Sequence, residues 1–126
     1  IKWLSEAIAI DPGYLEAILT LGKLYLHEEQ YSEVIDLVSS VREMGEEDPQ
    51  FDWLMATAYS ELEEYEQALS SYREAYQHFM ENKEFLHEYG YFLLEDSKFE
   101  EARSIFEKLL KDDPSNDEYL DILERI

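Results

Sequence analysis

The sequence predicts an all-α fold built from stacked helix pairs, on three observations. Apolar residues recur three and four positions apart, as in Leu15, Ile18 and Leu21, which is the spacing of one helix face. No segment of useful length alternates apolar and polar residues as a strand does. A residue pattern also returns every 34 positions, as Tyr25, Tyr31 and Val34, then Tyr59, Tyr65 and Ala68, then Leu93, Phe99 and Ala102. Because a unit of this length cannot bury its apolar face alone, neighbouring units must stack.

The repeat also indicates which positions face the core. Counted from Leu15, Pro49 and Lys83, the eighth residue of each unit is small, which predicts that two helices approach closely there. The seventh, twenty-fourth and twenty-seventh places are mostly apolar and are expected to form the core. The seventh place holds Leu21, Met55 and Tyr89, and the eighth holds Gly22, Ala56 and Gly90. The twenty-fourth place holds Val38, Tyr72 and Phe106, and the twenty-seventh holds Val41, Ala75 and Leu109.

This pattern resembles the tetratricopeptide repeat, whose signature spaces a large residue, Leu-Gly, Tyr, Ala, an aromatic residue, Ala and Pro along 34 positions. The resemblance implies a right-handed α-solenoid of antiparallel helix pairs. It divides residues 1–126 into a single domain with a half-repeat at 1–14, repeats at 15–48, 49–82 and 83–116, and a half-repeat at 117–126. We expect the chain to be a fragment of a longer array.

Within each unit, the two helices should be joined by a short polar turn, at 28–30, 63–64 and 96–98. Linkers between units are expected near 11–14, 45–48, 79–82 and 113–116. Gly45 follows a helical pattern and suits a left-handed cap, because glycine lacks a Cβ. Asp52 stands where the repeat usually has a large residue, and we expect Trp53 to take over part of its packing.

Composition narrows the classes of partner. The formal net charge of −21 disfavours phosphate backbones and anionic lipid surfaces, which bind clustered Lys and Arg. No apolar run reaches the roughly 18 residues of a membrane span. With no Cys, the chain has no disulfide or thiolate chemistry, which favours a reducing compartment, and we expect a cytoplasmic location.

Catalytic, cofactor and metal chemistry are not expected. The four glycines are too scattered to form a phosphate-binding loop, and no Ser stands in a nucleophile-elbow context. Glu84 and His87 have the i, i+3 spacing of helical carboxylate-bridged metal sites, but such sites need two of these pairs. We therefore predict no enzyme activity, no cofactor and no bound metal.

The remaining surface is the one that the family resemblance assigns to partner binding. In that family, the first helix of each unit lines a concave groove, chiefly through its second, fifth, ninth, twelfth and thirteenth residues. The candidate residues from these places are Leu19, Lys23, His27, Trp53, Thr57, Glu61, Glu84, His87, Tyr91 and Glu95, and Glu88 is added because it lies close by. The alternative for the two largest is structural: Trp53 would pack on a neighbouring unit, and Tyr91 would cover helix stems.

These residues predict a scaffold that binds a protein or peptide with an apolar anchor and Lys or Arg. Some family members hold an acidic chaperone tail with Lys, Asn and Arg at the second, fifth, sixth and ninth places. Only Lys23 matches them in charge here, so we expect no binding of such tails. The acidity could instead serve solubility alone. Two other functions stay open: weak end-to-end self-assembly, with Leu120 and Leu123 facing Leu4 and Ile8 of another copy, and a passive spacer.

Overall fold

The computed structural model describes residues 14–43, 45 and 48–126. This part of the chain is entirely helical, without strands. The predicted half-repeat 1–14 lies outside the described residues except for Tyr14. The helices are α1 (Tyr14–His27), α2 (Tyr31–Glu43), α3 (Pro49–Glu61), α4 (Tyr65–Phe79), α5 (Lys83–Glu95), α6 (Phe99–Asp112) and α7 (Asp117–Arg125).

Three of the helices begin at a capping residue, and these residues recur with the 34-residue period. The side chain of Asp48 accepts a hydrogen bond from the Gln50 N–H (2.9 Å), and that of Asn82 accepts one from the Phe85 N–H (3.0 Å). Asn116 does the same for the Tyr119 N–H at 3.0 Å. Each cap satisfies a backbone donor that has no partner within its helix, which fixes where α3, α5 and α7 start.

The turns inside the repeats have one shared geometry. Glu29, Glu63 and Ser97 lie 34 positions apart and have φ values of 60°, 60° and 59°. In each turn, the next residue donates its N–H to a carbonyl five positions back, as from Gln30 to Tyr25 at 2.8 Å. This is the Schellman arrangement, which usually has glycine at the left-handed position. Gly45 has a φ of 88°, so the left-handed cap predicted there is confirmed.

The described residues form two compact units, and unit 1 extends to Ala75. It contains α1, α2, α3 and most of α4. The predicted core positions Val38 and Val41 are buried, beside other apolar residues of the same helices. At Gly22 a Cβ would lie 2.8 Å from Leu54 Cδ1, so α1 and α3 approach closely at the small residue, as predicted. The main buried residues of unit 1 are Ile18, Leu19, Val34, Leu37, Val38, Val41, Phe51, Leu54, Met55 and Ala58.

Unit 2 runs from Tyr76 to Ile126 and contains the last turn of α4 with α5, α6 and α7. The predicted core positions Tyr89, Phe106 and Leu109 are all buried. A Cβ on Gly90 would lie 2.9 Å from Phe106 Cζ, which again places a small residue at a close helix contact. The main buried residues are Phe85, Leu86, Tyr89, Phe92, Leu93, Ala102, Ile105, Phe106, Leu109 and Tyr119.

The two neighbours of Asp52 differ in burial. The fully buried neighbour of Asp52 is Phe51, whereas Trp53 stays partly exposed. Asp52 itself forms an ion pair with Arg42 of α2. Aromatic residues hold the same third place in the next units, as Phe85 and Tyr119, and both are buried. A helix presents its third and fourth residues in different directions, so Phe51 does not occupy the place of the large residue missing at Asp52, and the share of that packing taken by Trp53 stays a prediction.

Candidate functional site

In unit 1, the candidate residues lie on the neighbouring helices α1 and α3. Lys23, His27 and Glu61 are exposed, and Trp53 and Thr57 are partly exposed. We call these five residues the unit-1 surface. Leu19 is only 7% exposed and belongs to the core, so it offers a partner little area. Its predicted contact with a partner stays a prediction.

Part of the unit-1 surface is held in place by its own helix. The Thr57 hydroxyl donates a hydrogen bond to the Trp53 carbonyl at 3.0 Å, one helical turn earlier. This bond uses the hydroxyl hydrogen of Thr57 and fixes the rotamer of its side chain. The methyl group of Thr57 is then the part of the side chain that can make an apolar contact. The indole of Trp53 is the largest apolar group of this surface.

The end of α3 brings carboxylates close to α2. Partial burial raises the pKa of the Tyr31 phenol, and the carboxylates of Glu61 and Glu29 raise it further. Glu61 therefore lies near a phenol group while its own side chain remains exposed. The last turn of α3 has no basic residue, so no cation of that turn neutralises Glu61. A cationic group of a partner that approaches Glu61 would therefore meet a negative charge.

In unit 2, α5 and α7 are joined through His87. The Nδ1 atom of His87 lies 2.9 Å from the Tyr119 hydroxyl oxygen, and the two ring centroids are 6.0 Å apart. The ring of Tyr91, one turn along α5, lies 4.7 Å from the His87 ring. His87 remains exposed despite these contacts. We call Glu84, His87, Glu88, Tyr91, Glu95 and Tyr119 the unit-2 surface.

The rings of Tyr91 and Phe106 meet edge to face. Their centroids are 5.4 Å apart and their planes are nearly perpendicular. Its hydroxyl oxygen is covered and has no hydrogen bond of standard geometry among the described residues. Burial raises the pKa of the Tyr91 phenol, and the adjacent Glu118 carboxylate raises it further. Tyr91 therefore offers a partner the exposed part of its ring rather than its hydroxyl group. Its role as a contact residue stays a prediction.

The unit-2 surface is strongly acidic. Glu84 and Glu95 are exposed and Glu88 is partly exposed, and none of the six residues of this surface is Lys or Arg. The basic residue Lys108 lies elsewhere in the unit, 3.4 Å from Glu81 and 5.5 Å from the centre of the Tyr76 ring. Among the described residues, no three metal-ligating side chains converge on one point. The exposed carboxylates of Glu84 and Glu95 therefore give this surface a negative charge.

Sequence reasoning did not select Tyr119 as a site residue, although its hydroxyl oxygen lies 2.9 Å from His87 Nδ1. The available signal was the recurrence of an aromatic residue at the third place of repeats 49–82 and 83–116 and of half-repeat 117–126, as Phe51, Phe85 and Tyr119; repeat 15–48 has Ala17 there. The first two are fully buried, but Tyr119 carries a hydroxyl that reaches the α5 side chain above it. Tyr instead of Phe at this repeated position therefore places a hydroxyl group beside His87.

The comparison with known families decides the classification. Residues 49–116 match the family described as YpiA-like, C-terminal tetratricopeptide repeats, and residues 1–58 match a general tetratricopeptide repeat family. The chain belongs to the YpiA-like tetratricopeptide repeat family. It is 46% identical over 125 residues to the TPR repeat-containing protein YpiA of Bacillus subtilis (strain 168). That match covers 99% of this chain and 30% of the relative, so the chain spans about a third of the relative's length.

Two solved structures are similar to this tetratricopeptide chain. One is the first tetratricopeptide domain of Spaghetti (RPAP3) bound to the HSP90 peptide SRMEEVD, with a TM-score of 0.72 and 23% identity over 91% of this chain and 94% of that one. The other is YrrB, described as having an unusual peptide-binding site, with a TM-score of 0.76 and 21% identity over 97% of this chain and 63% of that one. At these identities the likeness shows the fold, and the predicted all-α tetratricopeptide class is confirmed.

None of the seven helices in the described part of this tetratricopeptide chain could span a bilayer. The longest, α4, has 15 residues, whereas a span needs about 20.

Proposed function

We propose that this chain is a protein-interaction scaffold that binds peptide segments with an apolar anchor and Lys or Arg residues. Tetratricopeptide repeats typically act as non-enzymatic interaction scaffolds, and two proteins of the same fold carry peptide-binding sites. The finer proposal is that the unit-1 and unit-2 surfaces each contact such a segment. An extended peptide and an amphipathic helix both satisfy this description.

The observation that carries the proposal is the combination of aromatic rings and carboxylates on these two surfaces. Trp53 supplies the anchor contact of unit 1, with Glu61 on the same helix two turns further on. In unit 2, the ring of Tyr91 lies on a helix that also carries Glu84, Glu88 and Glu95. Aromatic residues dominate interface energies, and surrounding charges set specificity and the association rate.

The same charges argue against an acidic ligand. The peptide SRMEEVD in the Spaghetti structure contains two glutamates and an aspartate. On this chain it would meet Glu84 and Glu88 at the unit-2 surface, and Lys23 is the single Lys or Arg among the candidate residues. Like charges brought together at an interface cost several kcal/mol. We therefore expect this peptide to bind far more weakly here than a basic peptide does.

The test is a screen of the purified chain against a random peptide library at low and high salt. We expect enrichment of basic peptides with one apolar anchor, weaker at high salt because exposed charges are screened. Trp53→Ala should reduce the enrichment. Met80→Ala is the matched control, because Met80 is 41% exposed but lies outside both surfaces. Enrichment of acidic peptides, or an equal effect of both substitutions, would contradict the proposal.

Self-assembly through the chain ends is the second candidate, favoured by the exposure of Leu120. This residue is 45% exposed on α7, and Leu123 is partly exposed on the same helix. Leu4 and Ile8, the other side of the predicted contact, lie outside the described residues. A molar mass in light scattering that does not change with concentration would exclude this association. The spacer role, the lack of catalysis and the cytoplasmic location stay predictions.

A further inference from the structure

We propose that Tyr119 is a positioning residue that holds the His87 imidazole with its proton on Nε2, ready to donate a hydrogen bond to a backbone carbonyl of a bound peptide. This inference rests on the proposed function, because it names the polar contact that the unit-2 surface offers to such a peptide. Every residue of an extended peptide has a backbone carbonyl that can accept a hydrogen bond. The contact with His87 would therefore add to the charge and apolar contacts, which depend on the side chains of the peptide.

The Tyr119 hydroxyl is placed by two contacts that do not involve His87. The Asn116 cap fixes the backbone, because its side chain accepts a hydrogen bond from the Tyr119 N–H at 3.0 Å. The Tyr119 ring packs on Phe106, with centroids 5.6 Å apart, and the residue is only 9% exposed. The hydroxyl oxygen then lies 2.9 Å from His87 Nδ1. A rigid group therefore meets one particular nitrogen of the imidazole.

The direction of this hydrogen bond decides where the imidazole proton lies. Burial raises the pKa of the Tyr119 phenol, and the carboxylates of Glu118 and Asp113 raise it further, so the hydroxyl keeps its hydrogen. Within the described chain, this hydroxyl has His87 Nδ1 as its one hydrogen-bond partner. If Nδ1 carried the proton and donated, the phenol hydrogen would be left without an acceptor in a nearly buried place. Donation from Tyr119 avoids this cost and leaves the imidazole proton on Nε2.

Nε2 is the imidazole nitrogen that is left for a partner, because Nδ1 is occupied by the Tyr119 hydroxyl. The residue is exposed, its ring is steadied by Tyr91 at 4.7 Å, and Nε2 has no hydrogen-bond partner in the residues that the structure describes. Glu84 and Glu88 on the same helix, with Glu118 on α7, repel a carboxylate acceptor. A neutral carbonyl is the acceptor that suits an N–H donor in this negative field.

The first experiment uses the free chain and needs no partner. Nitrogen-15 labelled histidines would be observed by two-dimensional NMR at pH 8. His87→Gln assigns the His87 signals against those of His27 and His78. We expect the Nε2–H tautomer for His87, and a larger share of the other tautomer in Tyr119→Phe. An Nδ1–H tautomer, or no change in Tyr119→Phe, would overturn the positioning role.

The second experiment measures binding of the blocked peptide acetyl-Lys-Lys-Leu-Lys-Lys-amide by isothermal titration calorimetry. A Gln amide nitrogen reaches the place of Nε2, whereas that of Asn reaches the place of Nδ1. We therefore expect His87→Gln to keep the wild-type affinity to within about threefold, and His87→Asn to lose about tenfold, the worth of one net hydrogen bond. Equal affinities for the two variants would overturn the donor role. If wild type does not bind at all, the proposed function fails with it, while the tautomer result stands separately.

Discussion

Gly90→Ala tests the close helix contact on which the unit-2 surface rests. A Cβ at this position would lie 2.9 Å from Phe106 Cζ, 3.1 Å from Cε2 of the same ring and 3.2 Å from Ile105 Cγ2. The Phe106 ring is fully buried and lies between Tyr91 and Tyr119. Because the ring is rigid and enclosed, it cannot turn aside without moving the two tyrosines.

The magnitude follows from two opposed terms. Replacing glycine by alanine inside a helix stabilises it by about 1 kcal/mol. Overpacking a filled core costs about 1–3 kcal/mol, and three short contacts with rigid or branched groups place Gly90→Ala in the upper part of that range. We expect a net loss of about 1–2 kcal/mol in the free energy of unfolding.

Gly22→Ala is the matched control, because the same change meets a flexible neighbour. Its Cβ would lie 2.8 Å from Leu54 Cδ1, and the next nearest atom is 3.7 Å away. A terminal methyl group of leucine can move by a rotamer change, so the packing cost should roughly cancel the helix gain. We expect a change within about 0.5 kcal/mol of wild type.

Urea unfolding followed by circular dichroism measures both variants, with equal slopes required for comparison. Gly90→Ala should cost less when it is added to Phe106→Leu than when it is made in the wild-type chain, because the rigid ring is then absent. If Gly90→Ala is as stable as Gly22→Ala, the close contact with Phe106 does not control this packing and the reasoning is wrong.

Three further predictions concern the turns, the caps and the buried phenol. Glu63→Gly should stabilise the chain by about 0.5–1 kcal/mol in thermal unfolding, because glycine adopts a φ of 60° without strain, whereas Glu64→Gly should not stabilise it. Asn82→Ala should cost about 1 kcal/mol through loss of the α5 cap, and Asn82→Asp should retain most of the stability. The pKa of Tyr91 is raised on folding, so the contribution of this phenol to stability should be constant below about pH 10 and fall above it, as the unfolded chain alone loses the phenol proton. Tyr91→Phe should make that alkaline slope shallower by at most about 1.4 kcal/mol per pH unit in urea titrations, and an unchanged slope would contradict the assignment.

The fold could be predicted because the 34-residue period appears directly in the residues. Small residues at Gly22 and Gly90 marked the helix contacts, and the polar turns fell where the period placed them. Burial at repeated places follows from stacking, since every internal unit meets the same kind of neighbour. The capping residues 48, 82 and 116 share the period as well, and reading them gives the helix starts.

The site could be predicted only in part, because exposure depends on contacts that a single helix does not reveal. Leu19 and His87 both hold the fifth place, yet Leu19 is buried and His87 is exposed and bonded to Tyr119. Repeat position gives the side of the helix, but the local neighbours decide how much of the side chain remains accessible. The left-handed conformation of Glu63 was also invisible in the sequence, since residues other than glycine rarely adopt it.

The measurement that tests the central claim most directly is a comparison of two peptides by isothermal titration calorimetry at low and high salt. The first is acetyl-Lys-Lys-Leu-Lys-Lys-amide, and the second has Glu at every Lys position. The carboxylates of the two surfaces predict that the Lys peptide binds at least about tenfold more tightly at low salt, and that the difference shrinks at high salt. Equal or tighter binding of the Glu peptide would contradict the claim that these surfaces select basic partners.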